Sequence, residues 1–357
     1  MTSEAHLATI KNILIFFMAI VIIMIVKTLS GLLIPLAFAI FTGILLQPII
    51  AFLEKKKWPY TISITLITLL TVGCFYLAGL IMVDTGSQIV SEKDKLLGQI
   101  ENRAQSMIEQ FDHLPGVDKI EVTNFTELIN KVATSDFILN TSGVVAGQLG
   151  TFTWNFILAT IYLVAVLGSI VRYEKYIHYL EGDDDIGQQR LVKAFVEVRD
   201  SIVSYMKVKF VTSFCTGLCF GLICWAFKID FALFWGFFAF MLNFIPTVGS
   251  ITATIPPILL GLIQIDSGGT YTFFIILLVA TQFVWGNVIE PLVMGSSVAL
   301  NTVTVILGLV VWGYIWGVSG MLLSVPLIVL ARVILAQMPD ADMIVKLMGR
   351  SQLKKVK

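Results

Sequence analysis

The chain has 357 residues, of which 57% are hydrophobic and only 13% charged, with 24 basic and 24 acidic side chains in balance. A soluble domain carries about 25% charged residues, so this composition excludes an ordinary soluble fold. Zero formal net charge, and the lack of a basic patch with interleaved aromatics, exclude a nucleic-acid partner. Apolar runs of roughly 20 residues recur, the length a helix needs to cross a ~30 Å hydrocarbon layer.

Residues 1–83 are expected to form three membrane spans, at Ile13–Leu29, Leu32–Leu53 and Ile62–Val83. The first run, preceded only by Lys11 and followed by no small-x-small cleavage site, reads as a retained span, not a secretory signal. Residues 84–147 are polar, with an apolar stripe at Ile89, Leu96, Ile100, Met107 and Phe111, then a break at Leu114–Gly116. Asn124, with Glu127 three residues on, has the form of a helix start. This predicts a helical hairpin outside the membrane. A fourth span fills 148–171, and 172–207 reads as an amphipathic helix, with Leu191, Phe195, Val198 and Ile202 on one face, running into a fifth span near Val208–Phe227.

Lys and Arg placement sets the orientation. Ten fall within 54–60 and 172–209 together, against five in 84–147. The first two segments, and both termini, are therefore expected in the cytoplasm and 84–147 outside it.

Residues 208–357 read as a transport core with a cytoplasmic tail. Phe231–Ile265 is interrupted by Asn243–Ser250 and by Pro256 and Pro257; Asn301–Ala336 is interrupted by Trp316–Gly320 and by Pro326; a plain span, Tyr271–Ile289, lies between. The interrupted segments predict two broken-helix hairpins, fully crossing or re-entrant. Fold class is thus all-α: a polytopic membrane protein of about eight segments with a helical extracytoplasmic insertion.

Paired Gly/Pro-interrupted segments are the best sequence pointer to a carrier's binding site, and broken backbone at membrane depth is tolerated only within protein or along a water-filled cavity. The breaks and their surroundings supply the candidate transport and substrate-binding residues: Asn243, Pro246, Thr247, Gly249, Ser250, Thr254, Gln282, Asn287, Glu290, Ser319, Gly320 and Pro326. Glu290 is the one carboxylate bounded by apolar helix in this half, and an ionisable group there is a functional hypothesis by default. Pro291 disfavours helical dihedrals at the preceding residue, which predicts that the helix stops at Glu290. A carboxylate at a helix C-terminus opposes the dipole and favours either protonation or a bound cation. The alternative is a plain interfacial carboxylate. The Gly217–Gly221 and Gly313–Gly317 pairs fit close helix packing. Cys74, Cys215, Cys219 and Cys224 all lie in apolar stretches, implying no metal and no disulfide framework. Neither a zinc-protease, nucleophile-elbow, P-loop nor dinucleotide motif is present, so neither an enzyme nor a cofactor is expected.

LLIPLAFAIFTGILLQPIIAFLEKK (Leu32–Lys56), YMKVKFVTSFCTG (Tyr205–Gly217), NFIPTVGSITATIPPILLGL (Asn243–Leu262), GNVIEPLVMGSS (Gly286–Ser297) and GVSGMLLSVPL (Gly317–Leu327) together resemble the autoinducer-2 exporter family, over roughly residues 30–337. The resemblance implies a secondary transporter of the bacterial inner membrane, exporting a small polar solute such as autoinducer-2 or exchanging sodium or lithium for protons, and assembling as a homo-oligomer, a pentamer among the options. In that family a basic residue commonly follows the Glu-Pro pair and another follows Met-Gly; here Leu292 and Ser296 stand there. Three readings stay open: a small-solute carrier, a cation/proton antiporter centred on Glu290, and a membrane scaffold or channel-like oligomer.

Overall fold

A computed structural model describes residues 3–92, 95, 98, 99, 103, 154–169, 186–294, 300–336 and 342–349. Most of the predicted outer hairpin, the 170–185 stretch, Ser296 and the C-terminal lysines lie outside the described residues.

Every named element among the described residues is helical. The first three are α1 (Ser3–Thr28), α2 (Ser30–Lys55) and α3 (Tyr60–Ser91). From Ile13 to Ile25, helix α1 is apolar and exposed, as suits a segment facing lipid. Two prolines, Pro35 and Pro48, sit inside α2. Helix α3 has 32 residues, about 48 Å at 1.5 Å per residue. It runs past the predicted span end at Val83 into the polar segment without a break. Helix α4 (Trp154–Ser169) is held to α3 by the Tyr60 hydroxyl, which donates to the Leu167 carbonyl.

Helix α5 (Ile186–Ala226) has 41 residues, merging the predicted amphipathic segment and fifth span into one rod. Its buried face repeats at 202, 205, 206, 209, 212, 213, 216, 220 and 224, the three-and-four spacing of one helical side. Helix α6 (Ala232–Leu242) lies antiparallel on α5 through glycines: a Cβ on Gly217 would fall 2.6 Å from the Gly236 carbonyl oxygen. The Gly217–Gly221 pair is therefore a packing device.

The chain then turns through Asn243–Thr247 into α7 (Val248–Gln264). Thr247 adopts a positive φ of 59°. A Cβ on Gly249 would collide with the Leu242 carbonyl, so the tight return requires glycine. The arms meet again at their open end: Gln264 Nε2 donates to Asp230 Oδ2 at 2.6 Å, and the Asp230 N–H donates to Gln264 Oε1 at 2.9 Å. Pro256 and Pro257 do not interrupt this hairpin, contrary to the sequence expectation, for both lie within α7. Proline's fixed φ is itself helical, so here it removes amide donors without ending the helix.

Helix α8 (Gly268–Gln282) leads into a π-helical turn, π1 (Phe283–Ile289), and on into α9 (Glu290–Met294). Helix α10 (Thr302–Ala336) contains one non-helical residue, Gly317, at φ 63° and ψ −142°. Cβ atoms on Gly308 and Gly313 would strike Ile328 and Met321. Residues 20 apart would be about 30 Å distant in a straight helix, so α10 folds back on itself at Gly317, within the predicted break. Pro326 is buried inside the returning arm. The tip is pinned to the end of α1, where Trp316 Nε1 donates to the Val26 carbonyl at 3.1 Å and Lys27 Nζ lies 3.9 Å from the Tyr314 ring centre. Helix α11 (Asp342–Met348) rests beside the start of α10, Asn301 Nδ2 donating to the Leu347 carbonyl at 2.7 Å.

Five helical stretches are long and apolar enough to cross a membrane: Ser30–Lys55, Tyr60–Gln88, Arg199–Ala226, Gly268–Met294 and Thr302–Ala336.

Candidate functional site

The buried stripe of α5 changes character along its length. Ile202, Tyr205 and Met206 join a core cluster with Ala37 and Phe41 of α2 and Leu323–Val329 of α10. Phe220 and Cys224 join a second cluster with α6, α7 and α8, including Ala239, Ala253, Phe274 and Leu278. Between them the same face carries Lys209, Thr212, Ser213 and Thr216, all buried. Seven residues span about 10 Å of helix. A polar belt thus separates two apolar clusters on one helix.

The threonines partly satisfy themselves, Thr216 Oγ1 donating to the Thr212 carbonyl at 2.8 Å and Thr212 Oγ1 to the Lys209 carbonyl at 3.2 Å. The tip of the first hairpin reaches the belt through buried Asn243, whose Nδ2 donates to Ser213 Oγ at 3.0 Å. From α8, Gln282 Nε2 donates to the Ser250 carbonyl at 3.4 Å. Its Oε1 is buried without a partner. A buried acceptor left unpaired costs about 1–3 kcal/mol, so Gln282 is an acceptor waiting for a donor.

At the other end of the belt Lys209 Nζ sits 2.7 Å from Glu290 Oε1 and 2.8 Å from Oε2. The side chains are 5% and 17% exposed. Removing both charges from water is expensive, and mutual attraction offsets that only with close geometry; one ammonium centred on both carboxylate oxygens supplies it. The cation that partly buried Glu290 requires is therefore the protein's own Lys209.

The expectation that Pro291 ends the helix at Glu290 is overturned. Glu290 keeps helical dihedrals, φ −56° and ψ −51°, and its N–H bonds five residues back, to the Trp285 carbonyl. In an α-turn the Pro291 ring would press on the carbonyl four residues earlier; the wider π turn displaces that carbonyl. Glu290 is thus inside a continuous helix and does not face a free C-terminus.

Of the predicted site residues, Asn243 and Glu290 reach the belt directly, while Ser250 and Gln282 are joined to each other between α7 and α8. Pro246, Thr247 and Gly249 shape the hairpin tip, and Thr254 Oγ1 bonds the Ser250 carbonyl at 2.8 Å. Asn287 and Thr247 are exposed. Ser319, Gly320 and Pro326 belong to the second hairpin, whose buried arm joins the α2 cluster and not the α7 cluster. Each broken segment therefore packs on its own stretch of α5. Sequence reasoning missed Lys209, Thr212, Ser213 and Thr216; their spacing inside an apolar run was the available signal.

The open end of the first hairpin forms a separate polar group. Arg103 Nε and Nη2 donate to the Leu262 and Ile265 carbonyls at 3.1 and 3.0 Å, where a helix C-terminus leaves acceptors unpaired. Glu92, by hydrogen bond and charge, and then Asp230, by charge, hold the Lys95 ammonium above the ordinary lysine value. A surface depression of about 420 Å³ lies beside it, between Phe227, Lys228, Gln264 and Asp266. Along α5 this is about 25 Å from Lys209, away from the belt.

A family model described as AI-2E family transporter matches residues 12–340. The AI-2 transport protein TqsA of Escherichia coli K12 is 26% identical over 348 residues, covering 95% of this chain and 96% of its own length. A candidate transport protein of Haemophilus influenzae is 29% identical over 335 residues, covering 92% and 93%. The candidate transport protein YrrI of Bacillus subtilis is 25% identical over 326 residues, covering 87% of each.

Proposed function

The chain belongs to the AI-2E transporter family, and from that premise we propose that it exports a small, hydroxyl-bearing polar solute across the bacterial inner membrane, passing it along the α5 belt. Autoinducer-2 is the first candidate, because a relative alike over nearly its whole length is named for its transport. The observation that carries the reading is the belt itself, a row of buried hydroxyls and an amide ending in a paired charge, together with the unpartnered Gln282 Oε1 on α8. A solute hydroxyl would satisfy that acceptor. Sodium or lithium exchange on Glu290 gains nothing from the geometry, for Lys209 already occupies the carboxylate.

In this reading both termini and the 54–60 loop are cytoplasmic, and 84–147 is outside. Helix α6 has 11 residues, about 16 Å, too short to cross. The first hairpin therefore dips in from outside with Asn243–Gly249 at its tip. The second enters from the cytoplasm, with Gly317, Ser319 and Gly320 at its tip and Pro326 in its returning arm. Two broken hairpins entering from opposite faces give each side of the membrane its own gate.

Efflux of autoinducer-2 from loaded proteoliposomes tests the assignment. Gln282→Leu keeps the volume and removes the acceptor, so flux should fall about tenfold, the size of one lost hydrogen bond. Flux unchanged in this variant would remove Gln282 from the path, and no flux in the native protein would remove autoinducer-2 from the candidates.

A further inference from the structure

Seven residues in π-helical form, Phe283–Ile289, stand directly before the carboxylate that pairs with Lys209. A π-helix is rare, and it survives where something outweighs the better bonding of the α form. Two features do so here. Pro291 has no amide to give an α-turn and would clash within one, and the ion pair exists only at the present rotation of the helix. Bonding five residues back instead of four inserts one extra residue into the turn, and one residue is about 100° of rotation. If 283–289 relaxed to an α-helix with α8 fixed, Glu290 would swing about that far from the α5 face. Gly286, at the centre of the turn, has nothing within 4 Å of its Cβ position, so there is open space at that point of the turn.

We propose that Pro291 is a positioning residue that holds the π turn and so pairs Glu290 with Lys209, and that relaxation of the turn to α-helix is the step that parts the two charges and frees them for solute. This rests on reading the belt as the solute path. The paired state keeps the buried charges neutralised while the site is empty. The parted state presents an ammonium from α5 and a carboxylate from α9 to a polar ligand, with Gln282 at the root of the rotating segment.

Thermal melting of the purified full-length protein tests the positioning without knowledge of the solute. Glu290→Gln alone should lower the Tm by about 5–10 °C, since it leaves a buried ammonium unpaired. In the Pro291→Ala background the same change should move the Tm by less than about 2 °C, the pair being already parted; additive shifts would overturn the proposal. Deletion of Gly286 removes the one extra residue, making the segment α-helical while keeping Glu290 on the Lys209 face. In that form Glu290→Gln should retain its full Tm effect, and a lost effect would overturn the register argument. Efflux of autoinducer-2 through the deletion form should fall at least tenfold, because the turn can no longer switch; native flux there would overturn the switching step. A native protein that moves no autoinducer-2 would sink the solute assignment alone, with the melting cycle still deciding the role of Pro291.

Discussion

Lys209 shows how a residue can be misread by the company it keeps in sequence. It follows Lys207 and closes a segment rich in basic residues, so it counts naturally with the cytoplasmic charges that orient the chain. On the helix it belongs instead with Ile202, Tyr205 and Met206 on the buried side, while Lys207 is exposed. The periodicity was legible; the partner was not, because Glu290 lies 81 residues away. A buried pair is weak evidence for stability, since apolar replacement of both partners is often neutral, whereas removal of one is costly. Lys209→Ala should therefore destabilise by about 3–5 kcal/mol. Lys209→Met with Glu290→Leu should recover most of that and yet remain inactive in efflux. Denaturant melts together with flux would check this, and a double variant that transports normally would show the charges to be structural.

At the scale of elements, the breaks were legible wherever glycine or proline meets a conformation that other residues resist. Gly317 is the clearest case: its φ of 63° with ψ −142° is a region that side chains avoid, and open space surrounds it. Any loss on substitution there is backbone strain alone. Gly317→Ala should cost about 1–3 kcal/mol, whereas Gly31→Ala, in a helix with equally open surroundings, should be neutral or gain up to about 1 kcal/mol. Equal melting temperatures for the two would refute the fold-back at Gly317. Prolines were a poorer guide than glycines. Pro246 stands in the first break, but Pro256, Pro257 and Pro326 lie inside helices. Their φ suits a helix, and only tertiary packing decides whether the missing amide matters. The π turn had no sequence signature beyond Pro291 itself, because its register is set by a partner on another helix.

For the whole molecule, the question is which end of the belt faces the cytoplasm, and the structure supplies independent ties to the lysine pattern. Asn301 and Leu347 place α11 beside the start of α10, so the C-terminal segment and the open end of the second hairpin share a side. Asp230, Gln264 and Arg103 gather at the open end of the first hairpin, so that end shares a side with Arg103 from the polar 84–147 segment. Helix α5 separates the two ends, and Lys209 lies nearer the basic one. In the proposed topology, which follows the positive-inside rule, the α11 side is the cytoplasmic one. In a background lacking Cys74, Cys215, Cys219 and Cys224, a cysteine at Ser267 should react with an impermeant maleimide in intact cells. Cysteines at Lys55 and at exposed Met343 should react only after permeabilisation. Labelling of all three from outside would break the link between the lysine pattern and the fold. Reaction at Lys55 and Met343 alone would invert the proposed topology, since the two hairpins would then open to the opposite compartments.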